Sequence, residues 1–237
     1  MDRLLILDVG LKPYQEVLTL QEKLFNKNID AKLAGGLTEN YLILCEHQPV
    51  FTLGKSGKRE NILVSDAELN AEYYHVNRGG DVTFHGPGQL VVYPVLDLDS
   101  LQIGLAQYIF QLEDAIIRSL ESFGLKGERM EGAAGIWIRT DERGPVTEAK
   151  AVDRKVGAIG VKASRNVTMH GIAVNVSTDL SWFDKIRACG LEGKGTTSIQ
   201  KELGHEVSID SYKKAFVEAF QEVFNVSISD TAFQSAI

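Results

Sequence analysis

Apolar residues follow strand or helix spacing along most of the chain. Runs of β-branched and aliphatic residues predict several strands, at residues 4–9, 41–45, 50–53, 74–77 and 90–98, and more between 126 and 176. Apolar positions three and four residues apart predict three helices, one that begins at Pro13 and two that span residues 105–123 and 208–226. A brief helix is predicted at 65–73. This order of elements is compatible with an α/β fold.

Turn residues fix some of the connections between these elements. EHQP joins the strands at 41–45 and 50–53, and Pro49 restricts the residue before it to extended geometry. We therefore expect a short, hairpin-like connection there. The nearly continuous apolar run at 90–98 indicates a strand buried on both faces. The polar piece at 141–153 indicates a long solvated hairpin loop.

Length and charge narrow the class of protein. A chain of 237 residues can bury one sizeable core, so we expect a single domain over residues 1–237 with its core at about 35–225. The net charge of -7 argues against nucleic-acid binding, which needs a basic surface. No stretch reaches the roughly 18 apolar residues of a membrane span. The N-terminal apolar run is too short for a signal sequence, so we expect no membrane association and a cytoplasmic protein.

One stretch, RGGDVTFHGPGQ at residues 78–89, concentrates four glycines between two apolar runs. Glycine loses more backbone freedom on folding than other residues, so such a cluster is typical of tight turns or close approaches. The stretch is either a turn between strands or a place where backbone N–H groups meet an anionic or carbonyl oxygen beside the guanidinium of Arg78. It matches neither the phosphate-binding loop nor the dinucleotide-binding pattern.

The two cysteines differ in their surroundings, and neither has the spacing of a disulfide scaffold or a zinc site. Cys45 lies in the apolar run NYLILCEH, which indicates a buried strand residue. Cys189 lies in the polar, glycine-rich segment KIRACGLEGKG, where a small apolar residue has little reason to be. Cys189 is therefore the candidate reactive thiol.

Lysine and histidine supply the other candidate groups. Lys155 begins the strand KVGAIGV and marks either an exposed strand end or a desolvated ammonium that holds a neighbouring cysteine as thiolate. His85 and His170 are each followed by glycine, which suits a pocket wall as well as an ordinary core or surface histidine. His47, on a turn, is a weaker candidate. Because no carboxylate stands at ligand spacing, these histidines do not predict a metal site.

Several motifs together resemble one family. In chain order they are EHQPVFTLGKSG, RGGDVTFHGPGQLVVYP, KVGAIGV, HGIAVNV and ACGL. The combination closely resembles the lipoyl(octanoyl) transferases, the octanoyl-acyl-carrier-protein:protein N-octanoyltransferases, over about residues 10–224. The resemblance implies an α/β fold with a mixed β-sheet flanked by helices, as in the biotin/lipoate protein ligase superfamily, and no cofactor.

The resemblance also implies roles for individual residues. Cys189 aligns with the family's acyl-accepting cysteine and Lys155 with its partner lysine. The implied substrate-binding residues are Arg78, Gly79, Gly80, Asp81, Val82, Thr83, Phe84, His85, Ala158, Ile159, Gly160, Gly171, Ile172 and Ala173. The histidines His47 and His170 are further candidates for the pocket. The segment between Trp137 and Lys155 is longer than the short hairpin expected of the family.

The resemblance implies an enzyme that moves an octanoyl group from octanoyl-acyl-carrier protein, through a cysteine thioester, to the ε-amine of a lysine. The implied acceptors are the lipoyl domains of 2-oxoacid dehydrogenases and the glycine cleavage H protein. An eight-carbon chain needs an apolar tunnel, for which the candidates are Val82, Phe84, Ile159 and Val161. Carrier and lipoyl domains are acidic as families, so we expect a basic docking surface, with the candidates Lys55, Lys58 and Arg59.

Two alternatives stay open at this point. An ATP-dependent lipoate or biotin ligase on the same scaffold would activate a free acid as an adenylate. The presence of Cys189 together with Lys155 favours transfer over ligation. A non-catalytic protein that binds acyl groups or carrier-protein domains would need neither the thiol nor the amine.

Overall fold

The computed structural model describes residues 2–139, 152–187 and 193–228. Within these residues, twelve strands form two sheets, and five α-helices accompany them. The strands are β1 (Asp2–Lys12), β2 (Asn40–His47), β3 (Val50–Leu53), β4 (Glu72–His75), β5 (Val82–His85), β6 (Gln89–Val95), β7 (Gly127–Met130), β8 (Ala133–Ile138), β9 (Arg154–Ser164), β10 (Val167–Asn175), β11 (Gly195–Thr196) and β12 (Val226–Ile228). The helices are α1 (Tyr14–Leu33), α2 (Asp66–Leu69), α3 (Leu105–Glu121), α4 (Ile199–Leu203) and α5 (Ile209–Phe224).

The large sheet is mixed, as expected. Its strand order is β12-β1-β2-β6-β10-β9-β8-β7, with β11 beside β9. The strand β1 pairs in parallel with both β12 and β2, and β11 pairs in parallel with β9. The other neighbouring pairs of this sheet, which are β2–β6, β6–β10, β10–β9, β9–β8 and β8–β7, are antiparallel. The predicted mixed sheet with flanking helices is therefore confirmed.

Each face of the large sheet is covered by helices that bury an apolar stripe. On one face, Tyr108 of α3 and Phe216 of α5 belong to the largest buried cluster, here called the main core. On the other face, Val17 and Phe25 of α1 pack in a second cluster. The core begins earlier than residue 35, because β1 lies inside the sheet and buries Leu4 completely. The single domain stays a prediction.

The expected hairpin between residues 41–45 and 50–53 is wrong. Both edges of β2 are already occupied, by β1 and β6, so β3 cannot pair with it. Instead β3 lies between β4 and β5 in the small sheet. That sheet has its own buried cluster, in which Phe51 and Phe84 pack together with ring centroids 5.2 Å apart.

The brief helix predicted at 65–73 is shorter in the structure. Ser65 and Glu68 form a capping box at the start of α2, and Asn70 ends the helix in the left-handed region with φ 51°. The chain then enters β4.

Most of the polar loop predicted at 141–153 lies outside the described residues. None of the helices in the described ranges has the length and apolarity needed to cross a membrane.

Gly171 of β10 lies close against the backbone of β6. A Cβ at this position would lie 2.2 Å from the carbonyl oxygen of Val92 and 2.6 Å from Cδ of Pro94. The preceding residue, His170, has φ 58° although it is not a glycine, and its N–H donates to Oε1 of Gln21, 3.0 Å away in α1. A buried glutamine therefore supports a left-handed strand residue beside an obligatory glycine.

Gly171→Ala should lower the free energy of unfolding by about 2 kcal/mol or more, because the added methyl group overpacks the β6–β10 contact. Urea unfolding with a constant m-value measures the change. Gly104→Ala is the matched control, since a Cβ there meets nothing within 4 Å. Equal stability of both variants would contradict this description of the contact.

Candidate active site

The glycine-rich stretch, residues 78–89, borders a cavity of about 310 Å³ between the small sheet and the large sheet. The stretch is not a simple turn, because it contains all of β5. The cavity brings together most of the predicted site residues, which are Arg78, Gly80, Asp81, Val82, Thr83, His85, Lys155, Ala158, Ile159, Gly160, His170, Gly171, Ile172 and Ala173.

The Arg78 guanidinium is buried and bound mainly by carbonyl groups. Only 8% of the residue is exposed. Its Nη2 donates to the backbone oxygens of Thr52 and Asp81, both at 2.8 Å, and to Oγ1 of Thr52 at 2.9 Å. The Asp81 carboxylate instead accepts from the N–H of Val82 and from Nδ2 of Asn61. The guanidinium remains charged in proteins, so it brings positive potential to the cavity.

Close backbone contacts explain the glycines that surround Arg78. The N–H of Gly79 donates to the carbonyl oxygen of Val161 in β9, at 2.9 Å. A Cβ at Gly160 would lie 3.0 Å from the Gly79 oxygen, and one at Gly54 would lie 2.4 Å from the Gly80 oxygen. These glycines allow the loop to pack directly on β9. Gly79 itself contributes through this contact, without lining the cavity.

A directional chain of hydrogen bonds begins at His85 and reaches the neighbourhood of Lys155. The amide of Gln89 accepts from Nδ1 of His85 at 2.7 Å and donates to Oδ1 of Asn175 at 2.9 Å. Nδ2 of Asn175 donates to the Thr197 carbonyl at 3.0 Å, and the Thr197 N–H donates to the Lys155 carbonyl at 2.9 Å. Since an amide oxygen only accepts, His85 carries its proton on Nδ1. Gln89 therefore sets a tautomer, a role that the sequence did not predict.

Burial keeps the three predicted histidines neutral. Desolvation lowers the pKa of His85 to about 3 and the pKa of His170 to about 4. The positive charge of Arg78 is a further cause of both shifts. The pKa of His47 falls to about 4, again through burial. None of these side chains can serve as an efficient general base near pH 7.

Besides Gly79, two more predicted pocket residues do not line the cavity. His47 is fully buried beside it, where its ring nitrogens lie 3.0 Å from the Lys12 carbonyl oxygen and 2.8 Å from the Tyr93 hydroxyl. Phe84 points into the small sheet's own core and stacks on Trp182 with centroids 5.0 Å apart. Thr83 and His85, on either side of Phe84, line the cavity, whereas Phe84 packs in the core of the small sheet.

A β-bulge places Lys155 at the cavity. Ile136 pairs with Gly157 while Trp137 pairs with Lys155, so Val156 is an extra residue in β9. Val156 belongs to the main core, and a Cβ at Gly157 would touch Ile116 of α3 in the same cluster. In a regular strand Lys155 would share the face of Gly157. The bulge reverses this and turns the lysine to the cavity side.

Small residues form the floor of the cavity. Across the β9–β10 ladder, Ala158 pairs with Ala173 and Gly160 pairs with Gly171. All four line the cavity. Because paired residues share one face of the sheet, these positions leave room above the strands.

The expected apolar tunnel is only partly present at the predicted positions. Val82 and Ile159 line the cavity, whereas Phe84 and Val161 do not. Val161 packs partly buried against the main core. The apolar wall also includes Val91 of β6, which carries no sequence signal beyond its buried strand.

Of the two cysteines, only Cys45 lies within the described residues. Cys45 is 1% exposed, as predicted, and burial raises the pKa of its thiol. Cys189 lies outside the described residues. Of the residues on either side of this gap, Arg187 donates its N–H to the Asn61 carbonyl at 2.7 Å, and Thr196 pairs with Lys155. Thr196 lines the cavity, and Asn61 donates its side-chain amide to the carboxylate of Asp81, another lining residue.

Some residues of the site had no sequence signal. Tyr14 and Tyr93 line the cavity, but each falls within an apolar pattern that predicts only helix or strand. Asn175 lies in the HGIAVNV motif, where a polar residue in an apolar strand is a usable signal for a buried hydrogen bond. Thr52 carries no such signal in VFTL, yet it binds Arg78.

Comparisons with known proteins agree with this geometry. Residues 13–221 match the family model described as the lipoyl protein ligase A/B catalytic domain. Two curated relatives named octanoyltransferase, from Parabacteroides distasonis and Cytophaga hutchinsonii, are 46% and 45% identical to this chain. The first alignment covers 92% of this chain and 96% of the relative, and the second covers 96% and 95%.

A solved structure shares the fold at low identity. The bi-partite lipoate protein ligase from Thermoplasma acidophilum superimposes with a TM-score of 0.66 at 16% identity, over 96% of this chain and 85% of that one. At this identity the likeness establishes the fold alone. The expected biotin/lipoate ligase-type architecture is confirmed.

Protein stability should fall as the pH drops from about 6.5 towards 4, because the unfolded chain protonates histidines that the folded state keeps neutral. The lowered pKa values of His47, His85 and His170 give this sign. Linkage gives about 2 kcal/mol for each such histidine between pH 7 and pH 5. Denaturant unfolding at the two pH values measures the loss.

His47→Gln should remove about one third of this pH dependence, since the variant keeps a polar side chain without the titration. A loss of stability between pH 7 and pH 5 that is the same in both proteins would show that His47 does not contribute to the pH dependence.

Proposed function

This chain belongs to the lipoyl protein ligase A/B catalytic-domain family and, within it, to the octanoyltransferases, and we propose that Cys189 carries the octanoyl group during transfer. The enzyme is an octanoyltransferase of protein lipoylation. The observation that supports the covalent proposal is the bulge in β9, which brings Lys155 to the same cavity as the glycine-rich stretch. The proposed thiol lies in the sequence between the anchored residues Arg187 and Thr196.

In the first half-reaction, the Cys189 thiolate attacks the thioester carbonyl of octanoyl-acyl-carrier protein. The bond from the carbonyl to the carrier sulfur breaks, and an octanoyl-cysteine forms. The Lys155 ammonium stabilises the attacking thiolate and then gives a proton to the departing carrier thiolate. One thioester replaces another, so the step needs no ATP.

In the second half-reaction, the ε-amine of an acceptor lysine attacks the octanoyl-cysteine. An amide forms, the Cys189 thiolate leaves, and neutral Lys155 takes the proton that the amine releases. Lys155 returns to its ammonium form, so the protons balance over the cycle. The neighbouring histidines cannot replace it, because burial holds their pKa values at about 3 and about 4.

The proposed donor and acceptors are proteins, namely octanoyl-acyl-carrier protein and the lipoyl domains of 2-oxoacid dehydrogenases and the glycine cleavage H protein, in the cytoplasm. Of the three docking candidates, Lys58 pairs with Glu60 at 3.4 Å. The Arg59 guanidinium donates to the carbonyls of Ile62 and Val64. Lys55 is exposed, and its N–H binds the Arg78 carbonyl at 2.9 Å, so it is the best-placed cation for an acidic partner.

Two rival functions remain distinguishable. An ATP-dependent ligase would form octanoyl-adenylate from free octanoate. The relatives at 46% and 45% identity are named for transfer, whereas the ligase structure shares only 16% of its residues with this chain. A non-catalytic binding protein would retain octanoyl-carrier protein without turnover.

Incubation with octanoyl-acyl-carrier protein should add one octanoyl group to the intact protein, because the thiolate captures the acyl group before an acceptor arrives. Intact mass spectrometry measures the adduct. Cys189→Ala should abolish it.

Cys45→Ala is the matched control and should retain the adduct, since Cys45 is buried in the sheet. An adduct that persists in Cys189→Ala, or none in the unsubstituted protein, would overturn the covalent proposal. Formation of octanoyl-adenylate from octanoate and ATP would favour the ligase.

Ala158→Leu should reduce octanoyl transfer at least about tenfold and leave butanoyl transfer nearly unchanged, because the larger side chain fills the cavity floor. Rates with carrier proteins bearing four- and eight-carbon acyl groups measure this. Ala163→Leu, at an exposed position on the same strand, should change neither rate. Equal losses for both chain lengths would contradict the assignment of the floor to the acyl chain.

A further inference from the structure

Trp137 is fully buried and stands directly under two lysine side chains. Its Nε1–H donates to the Ala133 carbonyl at 3.0 Å, which fixes the plane of the indole. Nζ of Lys155 lies 4.7 Å from the ring centroid, and Nζ of Lys194 lies 5.1 Å from it. Both distances are within the roughly 6 Å range of a cation–π interaction.

The strand pairing of β8 and β9 creates this arrangement. The bulge at Val156 sets Trp137 directly opposite Lys155, while the preceding Ile136 turns into the main core. Lys194 immediately precedes β11, whose two residues pair with Arg154 and Lys155. Two separate segments therefore bring their amines to one aromatic ring.

Two ammonium groups that meet at one buried ring need a compensating interaction. Like charges repel more strongly in a low-dielectric site than in water. The face of an indole carries negative partial charge and is the strongest cation–π partner among the side chains. The ring therefore stabilises the protonated amines, and protonated Lys155 is the form that holds a thiolate in the mechanism above.

We propose that Trp137 is a positioning residue that binds the ammonium groups of Lys155 and Lys194, and that Lys194 is a further cation beside the active site, in addition to Arg78 and Lys155. This inference rests on the proposed role of Lys155 in octanoyl transfer. Among the described residues, the other charged groups nearby include Arg78 and Asp81, which line the cavity together with Lys155, and the ion pair of Arg154 with Glu202 beside Lys155 in β9.

Fluorine NMR of the full-length enzyme labelled with 5-fluorotryptophan tests the contacts. The chain has two tryptophans, so two resonances are expected, and Trp182→Phe assigns them. Lys155→Met and Lys194→Met should each shift the Trp137 resonance and leave that of Trp182 unchanged. Lys185→Met is the matched control, because its amine lies 4.3 Å from the Trp182 ring centroid, and it should shift only that resonance.

A fluorinated series separates the electrostatic role from packing. In the Trp182→Phe background, mono- to trifluorinated tryptophan at Trp137 weakens the negative face of the ring with little change in size. We expect the rate of octanoyl-enzyme formation to fall about fivefold across the series, in step with the loss of cation–π strength, while KM for the carrier protein stays constant.

An unmoved Trp137 resonance in both lysine variants, or a rate independent of fluorination, would overturn the inference and leave octanoyl transfer intact. Absence of octanoyl transfer by the unsubstituted enzyme would instead overturn the proposed function, whatever the NMR spectrum shows.

Discussion

The extra residue Val156 reverses the alternation of side chains along β9, and the position of Lys155 depends on this reversal. Strands place successive residues on opposite faces, so one bulge changes which side chains reach the cavity. On one side of the bulge, Val156 and Gly157 pack under α3. On the other side, Lys155 faces the cavity beside Trp137. The same strand also supplies Ala158 and Gly160 to the floor of the cavity. Because of the bulge, the Lys155 amine lies on the same side of the strand as these small residues.

The electrostatics of the cavity follow from burial as much as from charge. Arg78 is held by carbonyl groups and a hydroxyl, and no carboxylate within the described residues forms an ion pair with it. Desolvation and this neighbouring cation keep His85 and His170 neutral. Such a cavity favours a negatively charged or strongly polarised group. This property suits a thiolate and the oxyanion that forms when the thiolate attacks a carbonyl.

Sequence patterns were sufficient for most elements and for the group of residues around the cavity. Helices with a continuous apolar stripe, such as α3 and α5, were predicted nearly residue by residue because their pattern depends only on local spacing. Strand pairing was not predictable in the same way, since the apparent hairpin before Val50 fails only because distant strands occupy both edges of β2.

The side of the strand to which each side chain points was the least predictable part of the site. Phe84 and Lys155 each lie on a predicted strand, but their directions depend on pairing register and on a bulge that no local pattern encodes. The roles of Gln89 and Trp137 likewise depend on partners far away in the sequence or across the sheet. Chemistry was predicted from residue type, whereas orientation required the fold.

The central claim is that the bulged strand β9 places both Lys155 and the small residues of the cavity floor beside the octanoyl group. A crystal structure of the enzyme trapped after reaction with octanoyl-acyl-carrier protein tests this claim most directly. We expect octanoyl density joined to the Cys189 sulfur, the Lys155 amine beside the thioester, and the acyl chain over Ala158 and Ala173. Density on another side chain, or an acyl chain outside the cavity between the two sheets, would contradict the claim.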